Sequence, residues 1–388
     1  MLRRRDLLRM LLSSPLGVWF RPCIAEVVNG PVRSDAADHY RRAFAWLANL
    51  TEKDKVLLGE CRRVPLDGAV EELLRRATPA LSLFRQGAAI PGCAWDEVVT
   101  LKALGREHLD VLNLRIQKLA ILRARSHWKH DQSREALEDL FATVKFGRHI
   151  GGAGVFIARV FQCTVENDAI AVIAENLPRL DAPKLDGLPA RINALPPSTT
   201  WAQTMEAESR FIMAIARAHV EGLATPITVE ALDDDVFSGA EAEALLKQTG
   251  GDRLRLLDVV KDVRPRLMEL AEVLSLPSGR YKPNLEAFVR RVEVPNPIAT
   301  SVVRNAESLK FAIDRTEALW SMLRAAIAMI RGGQERFREV ADPFGDGPFG
   351  YRPRDGGFDL QSALQFEERP PVLLVVGGSS PPSALPLP

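Results

Sequence analysis

LKALGREHLDVLNLRIQKLAILRARSH, residues 101–127, and SREALEDLFATVKFGRHIGGAGVFIARVFQCTVENDAIAVIAEN, residues 133–176, lie on either side of a short polar turn. Both carry helical periodicity. In the first run Leu101, Leu104, His108, Leu112, Ile116 and Leu119 recur at spacings of three and four, which places them on one helical face. In the second, Leu137, Leu140, Phe141, Val144, Val155, Phe156, Val160 and Phe161 repeat the pattern. Together the runs predict a helical hairpin with a longer second arm. Gly151-Gly152-Ala153-Gly154 interrupts that arm, and a kink or break is expected there because glycine is a poor helix former.

Toward the N-terminus the pattern predicts a helix over 35–50, with Ser34 as N-cap and Tyr40, Ala43, Phe44 and Leu47 inward. A second spans 67–84, with Val70, Leu73, Leu74, Ala77 and Leu81 inward and Pro79 near its end. Beyond the central hairpin, Pro183, Pro189, Pro196 and Pro197 mark a connector around a short helix. Residues 201–223 form the next helix, capped by Ser198 or Thr199, with Met205, Phe211, Ile212, Ile215 and Ala216 as its stripe. The polar stretch 225–251 is expected to be a surface excursion, and 277–297 a broken segment. Between them, 254–274 is helical and kinked or divided at Pro265. A long helix over 298–330 ends at Gly332-Gly333.

The composition then changes. Residues 342–351 are dense in turn formers interleaved with aromatics, and Phe358 to Leu364 alternates apolar and polar residues, the signature of a hairpin. Phe344, Phe349, Tyr351, Phe358 and Leu360 supply it with an apolar face, which is expected to dock on the 298–330 helix. The Pro/Ser/Gly-rich end lacks the apolar content for a core. The fold class is therefore mainly α: an irregular helical bundle or helix-pair array with a small C-terminal β-hairpin. The expected organisation is a leader over 1–25, a helical domain over 26–331, a packed hairpin appendage over 332–366 and a disordered tail over 367–388.

With 46% hydrophobic and 26% charged residues in 388, the chain belongs with globular proteins large enough for a sizeable core. Five arginines against Asp6 in residues 1–25 account for more than the net charge of +1. The remainder is slightly acidic, which argues against a nucleic-acid partner. Arg4-Arg5-Asp6-Leu7-Leu8-Arg9 has the twin-arginine form, a short apolar region follows, and Cys23-Ile24-Ala25 offers a cleavage site after Ala25. Arg4, Arg5, Leu7 and Leu8 are thus an export motif. The apolar run is too short to predict a stable membrane span after processing.

The chemistry-bearing residues give no active-site signature, and none is assigned as catalytic, cofactor-binding or metal-ligating. His127 and His130 sit one turn apart but read as a solvated turn. His108, on the apolar stripe, reads as a packed histidine. Glu206 and Glu208, with Arg210, read as a structural ion pair or a surface face. Asp233-Asp234-Asp235 lacks the glycine and distal glutamate of a calcium loop. Cys61 and Cys93 are the candidate disulfide, and Cys163 a buried thiol.

The segment Asp342-Pro343-Phe344-Gly345-Asp346-Gly347-Pro348-Phe349-Gly350-Tyr351, followed by Gly357-Phe358-Asp359-Leu360, resembles the ending of type II secretion G-type pseudopilins. It is also similar to the ending of uncharacterised exported helical proteins of planctomycete-type bacteria. The chain departs from the pseudopilins in having no long N-terminal apolar helix and no prepilin cleavage motif. The resemblance implies an exported location and a helical architecture, and it carries over no catalytic residue. The expected function is structural or protein-interaction work in the cell envelope, with an unidentified protein partner. The alternative is a hydrolase-like periplasmic enzyme with its site in a groove beside the central hairpin. Convergence of His108, Arg115, Glu206 or Glu208 in one pocket would favour the enzyme.

Overall fold

A computed structural model describes residues 35–95, 115–224, 227–232, 237–292, 296–366 and 369–378. Arg4, Arg5, Leu7, Leu8, His108 and Asp233-Asp234-Asp235 lie outside the described residues. The protein is mainly α with a small C-terminal antiparallel sheet.

The N-terminal helices are α1 (Ala36–Trp46), α2 (Glu52–Gly59) and α3 (Gly68–Ala89). The α1 cap is Asp35 and not Ser34: its carboxylate accepts from Ala37 N, satisfying an otherwise orphan donor. Thr51 and Asp54 form a reciprocal capping box that starts α2, a helix the apolar periodicity did not reveal. All five residues expected inward on α3 are buried, and Pro79 lies inside the helix without ending it.

The centre is α4 (Arg115–Lys129), α5 (Ser133–Gly151) and α6 (Phe156–Asn176). The expected long second arm is two helices, with the break at the glycine cluster. Gly154 adopts φ 82°, a left-handed conformation that glycine reaches without strain. The α5–α6 pair is close-packed: a Cβ on Gly147 would lie 3.1 Å from Val165 Cγ1. Helix α6 touches every core of the molecule. Ala158 and Val165 join α1, α3, α4 and α5; Phe156 joins the later helices; Ala169, Ile170, Val172 and Ile173 join the C-terminal core.

After α7 (Ala182–Asn193) and α8 (Trp201–Gly222), the supposed surface excursion holds α9 (Val229–Leu232) and α10 (Gly239–Thr249). Ser238 and Glu241 cap α10, Gly250 closes it at φ 66°, and Ile227, Leu232, Phe237, Ala242 and Leu245 are buried. The excursion reading therefore fails. The helical run that follows divides at Asp262 into α11 (Arg253–Lys261) and α12 (Val263–Leu274), which puts Pro265 in a first turn, where it is tolerated. The supposed broken segment is α13 (Ser278–Val292): burial of Tyr281, Leu285 and Phe288 outweighs the hydrogen bond lost at Pro283. Helix α14 (Pro297–Arg338), capped by Asn296, joins two cores, with Ile298 to Leu309 in one and Phe311 to Ile327 in the other. Non-helical Gly332 and Gly333 interrupt it, yet helix resumes and carries Phe337 into the core.

The C-terminal element is a three-stranded sheet in the order β1 (Gly350–Arg354), β2 (Gly357–Gln361), β3 (Leu373–Gly377). Tyr351 opposes Leu360, and Leu360 opposes Leu374. This corrects two expectations. The hairpin has a third strand, and part of the supposed disordered tail is core, because Val372, Leu374 and Val376 are buried. The docking partner is also α6 as much as α14. Phe349, Phe358 and Leu360 are buried as expected, while Phe344 is half-buried and Tyr351 lies at the rim against Phe337 and Phe358. Asp342 knits the loop to the sheet: it accepts from Phe344 N, Ser362 Oγ and Ala363 N.

Phe358→Ala and Leu374→Ala should each lower the unfolding free energy of the whole protein by about 3 kcal/mol, the usual cost of emptying such a core position. Urea unfolding followed by far-UV circular dichroism reads this. Wild-type stability in both variants would mean that the sheet is not part of the cooperative unit.

Candidate functional site

A cavity of about 330 Å³ opens between α5, α6, the segment after α7, and α14. Its floor is polar, built from α6 residues that face inward where an apolar helix would place carbon. Arg159, Gln162 and Glu166 recur at spacings of three and four, and all are almost completely buried.

Glu166 is fully enclosed. The Arg148 guanidinium meets both of its oxygens, with Nη2 donating to Oε2 at 2.8 Å and Nε 2.7 Å from Oε1. Gln162 Nε2 donates to Oε1 at 2.6 Å, and Trp320 Nε1 donates to Oε2 at 2.5 Å. A carboxylate has about four lone-pair sites, so this one is filled. Gln162 Nε2 also reaches Ser198 Oγ at 3.0 Å, and Arg148 Nη1 donates to the same hydroxyl. Gly151 makes room for Gln162: a Cβ there would stand 1.8 Å from its Oε1. The glycine cluster thus serves both the break and the site.

Arg159 ends the network and is differently placed. Only 3% exposed, it donates through Nη1 to the neutral Gln162 Oε1, and its buried Nε has no partner. Among the described residues it forms no ion pair. Burial pushes its pKa below the ordinary arginine range, with Glu166 pulling up and Arg148 pulling down. Cys163 also lines the cavity; burial pushes its thiol up to about 11, so it stays protonated near neutrality. Ile192, Leu195 and Ile313 give the cavity an apolar wall, and Arg324 stands at its rim.

The residues singled out in the sequence do not gather here. Glu206 pairs with Arg264 at 3.0 Å on the outer side of α8. Half-buried Glu208 accepts from Phe156 N at 2.8 Å, an acidic cap supplied to α6 by a neighbouring helix. Arg115 is the first residue of α4 and lines no part of the cavity. His127 Nδ1 contacts Gln132 Oε1 at 2.6 Å, and its other nitrogen lies 3.7 Å from Asp139, which is neutralised by Arg85 and Arg123. His130 Nδ1 contacts Ser126 O at 2.8 Å. Among the described residues no group of three His, Cys, Asp or Glu side chains could hold a metal ion. The candidate disulfide does not form: Cys61 and Cys93 are free and belong to different cores. Cys163 is a buried thiol, as expected.

Arg148, Arg159, Gln162, Glu166 and Trp320 escaped notice in the sequence. The available signal was three polar residues at helical spacing inside an apolar run. No family model, no curated protein and no solved structure matches the chain.

Burial pushes the Glu208 carboxyl up to about 7, against the pull of its backbone donor. The folded protein therefore holds this proton more tightly than the unfolded chain does. The group's contribution to stability is full below the unfolded value of 4.5 and is lost as pH rises through about 7. Glu208→Gln should match wild type at pH 4 and melt higher at pH 8, in thermal scans at both pH values. Equal melting at pH 8 would refute the assignment.

Proposed function

We propose that this is an exported helical protein that acts in the periplasm or cell envelope by binding, as a structural or protein-interaction component. The observation that carries the reading is the use to which its acidic groups are put. Glu166 is filled by donors from three helices, Glu206 pairs with Arg264, Glu208 caps α6, and Asp139 is held by two arginines. Each joins helices and is spent on architecture. Export rests on the Arg4-Arg5-Asp6-Leu7-Leu8 pattern, with the resemblance of residues 342–360 in support. Among the described residues, no helix is long and apolar enough to cross a membrane.

The hydrolase-like alternative has a suitable place in the fold, because the cavity lies beside the α5–α6 pair. At the floor of the cavity the chemistry weighs against it, which leaves Glu317, a lining carboxyl pushed up by burial and by Asp314, as the acid an enzyme would use. A general base needs a free lone pair, and a nucleophilic cysteine needs a lowered pKa; Glu166 lacks the first and Cys163 the second.

Two measurements test this reading. A reporter fused after Ala25 should reach the periplasm, and the double variant Arg4→Lys, Arg5→Lys should retain it in the cytoplasm. Unchanged export by that variant removes the twin-arginine assignment. The purified protein should show no turnover of generic ester, amide or phosphoester substrates. Turnover that disappears in Glu317→Gln would replace the binding reading with the enzymatic one.

A further inference from the structure

Beside α6 the molecule holds a buried cation facing an open space. The Arg159 guanidinium is withdrawn from water, its one hydrogen bond goes to an amide oxygen, and the nearest carboxylate has no acceptor capacity left. A buried charge without a counter-charge is costly, and proteins compensate it with a partner ion. Among the described residues no carboxylate pairs with it directly, Glu166 acting only at a distance, and Arg159 borders a cavity large enough for a small molecule.

We propose that this cavity is a binding site for a small organic monocarboxylate, whose carboxylate pairs with Arg159 and whose short apolar body lies against Ile192, Leu195 and Ile313. Three further observations support the choice of ligand. The ionisable lining consists of Arg148, Arg159 and Arg324 against Glu166 and Glu317, leaving one positive charge for one negative charge. The hydroxyls of Ser198 and Ser321 also line the cavity and offer neutral donors to carboxylate oxygens, whereas Thr316 Oγ1 donates to Ala312 O. The apolar side chains form a wall that an inorganic anion would leave unused. Arg148 and Gln162 are engaged with Glu166 and do not compete for the ligand, and Gln162 positions Arg159. This inference goes beyond the envelope role and does not depend on export, because binding is read on the purified protein.

The test is isothermal titration of the full chain, in a chloride-poor buffer, with isovalerate, hexanoate and phenylacetate. Each is compared with its neutral amide and with inorganic phosphate. At least one carboxylate should bind saturably and about tenfold or more tighter than its amide, the effect of one charge-assisted pair. Arg159→Met should abolish this preference without lowering the melting temperature, since it removes an uncompensated buried charge. Arg159→Lys should keep part of the preference. Glu206→Gln, remote from the cavity, serves as the control with unchanged affinity.

Several outcomes would overturn the proposal. They are no saturable binding of any of the three carboxylates, equal affinity for acid and amide, tighter binding of inorganic phosphate, or full affinity in Arg159→Met. A folded Arg159→Met that melts well below wild type would also overturn it, because Arg159 would then be paired within the protein.

Discussion

Three helices meet at one carboxylate. Glu166, on α6, is held by Arg148 from α5, Trp320 from α14 and Gln162 from its own helix. Hydrocarbon packing is non-directional, so a helix buried on all sides can rotate or slide at little cost. Four donors converging on two oxygens remove that freedom. Gly147 and Gly151 let α5 approach closely enough for the arrangement to close. Breaking such a buried pair from one side costs about 3–5 kcal/mol, which is a large part of a typical protein's net stability. The polar floor of the cavity therefore sets the register of the helices around it.

The same device recurs in the body. Asp139, completely buried on α5, is neutralised by Arg85 from α3 and Arg123 from α4. Lys310 and Asp314 form a buried pair one turn apart on α14. Asp342 fixes the loop before the sheet through Ser362 and Ala363. Asp139 and Asp314 are paired with cations, and Asp342 is satisfied by a hydroxyl and two backbone N–H groups, which is what makes burial tolerable. Arg159, with no such pairing among the described residues, departs from that rule and borders the cavity.

Long-range order comes from α14 and the sheet that follows it. The first half of α14 packs with α8 to α13, and the second with α5, α6 and α7. The strands close the second core, β3 resting on α6 as well as on α14. A two-stranded hairpin is marginal in water, and the third strand supplies the buried surface that makes this element an integral part of the core.

Much of the helical architecture was legible in the chain because it depends on local spacing. The inward face of α3, the stripe from Leu137 to Val144, the break at Gly151-Gly152-Ala153-Gly154 and an interruption at Gly332-Gly333 follow from periodicity and from glycine's conformational freedom, although helix resumes after Gly333 where an end was expected. Proline and acidic runs misled the reading of 277–297 and 225–251, where burial of Tyr281, Leu285, Phe288, Leu232 and Phe237 overrides weak local preference. The third strand was hidden for a related reason. Leu373 to Gly377 is a short apolar run in a Pro-rich setting, and only its pairing with β2 makes it a strand. The site lay furthest from sequence reasoning. Arg159, Gln162 and Glu166 could be seen as polar residues on an apolar helix. That Arg148 and Trp320, 154 residues from Glu166 in the latter case, complete its shell was decided by the tertiary structure, because electrostatic pairing depends on distance in space and not along the chain.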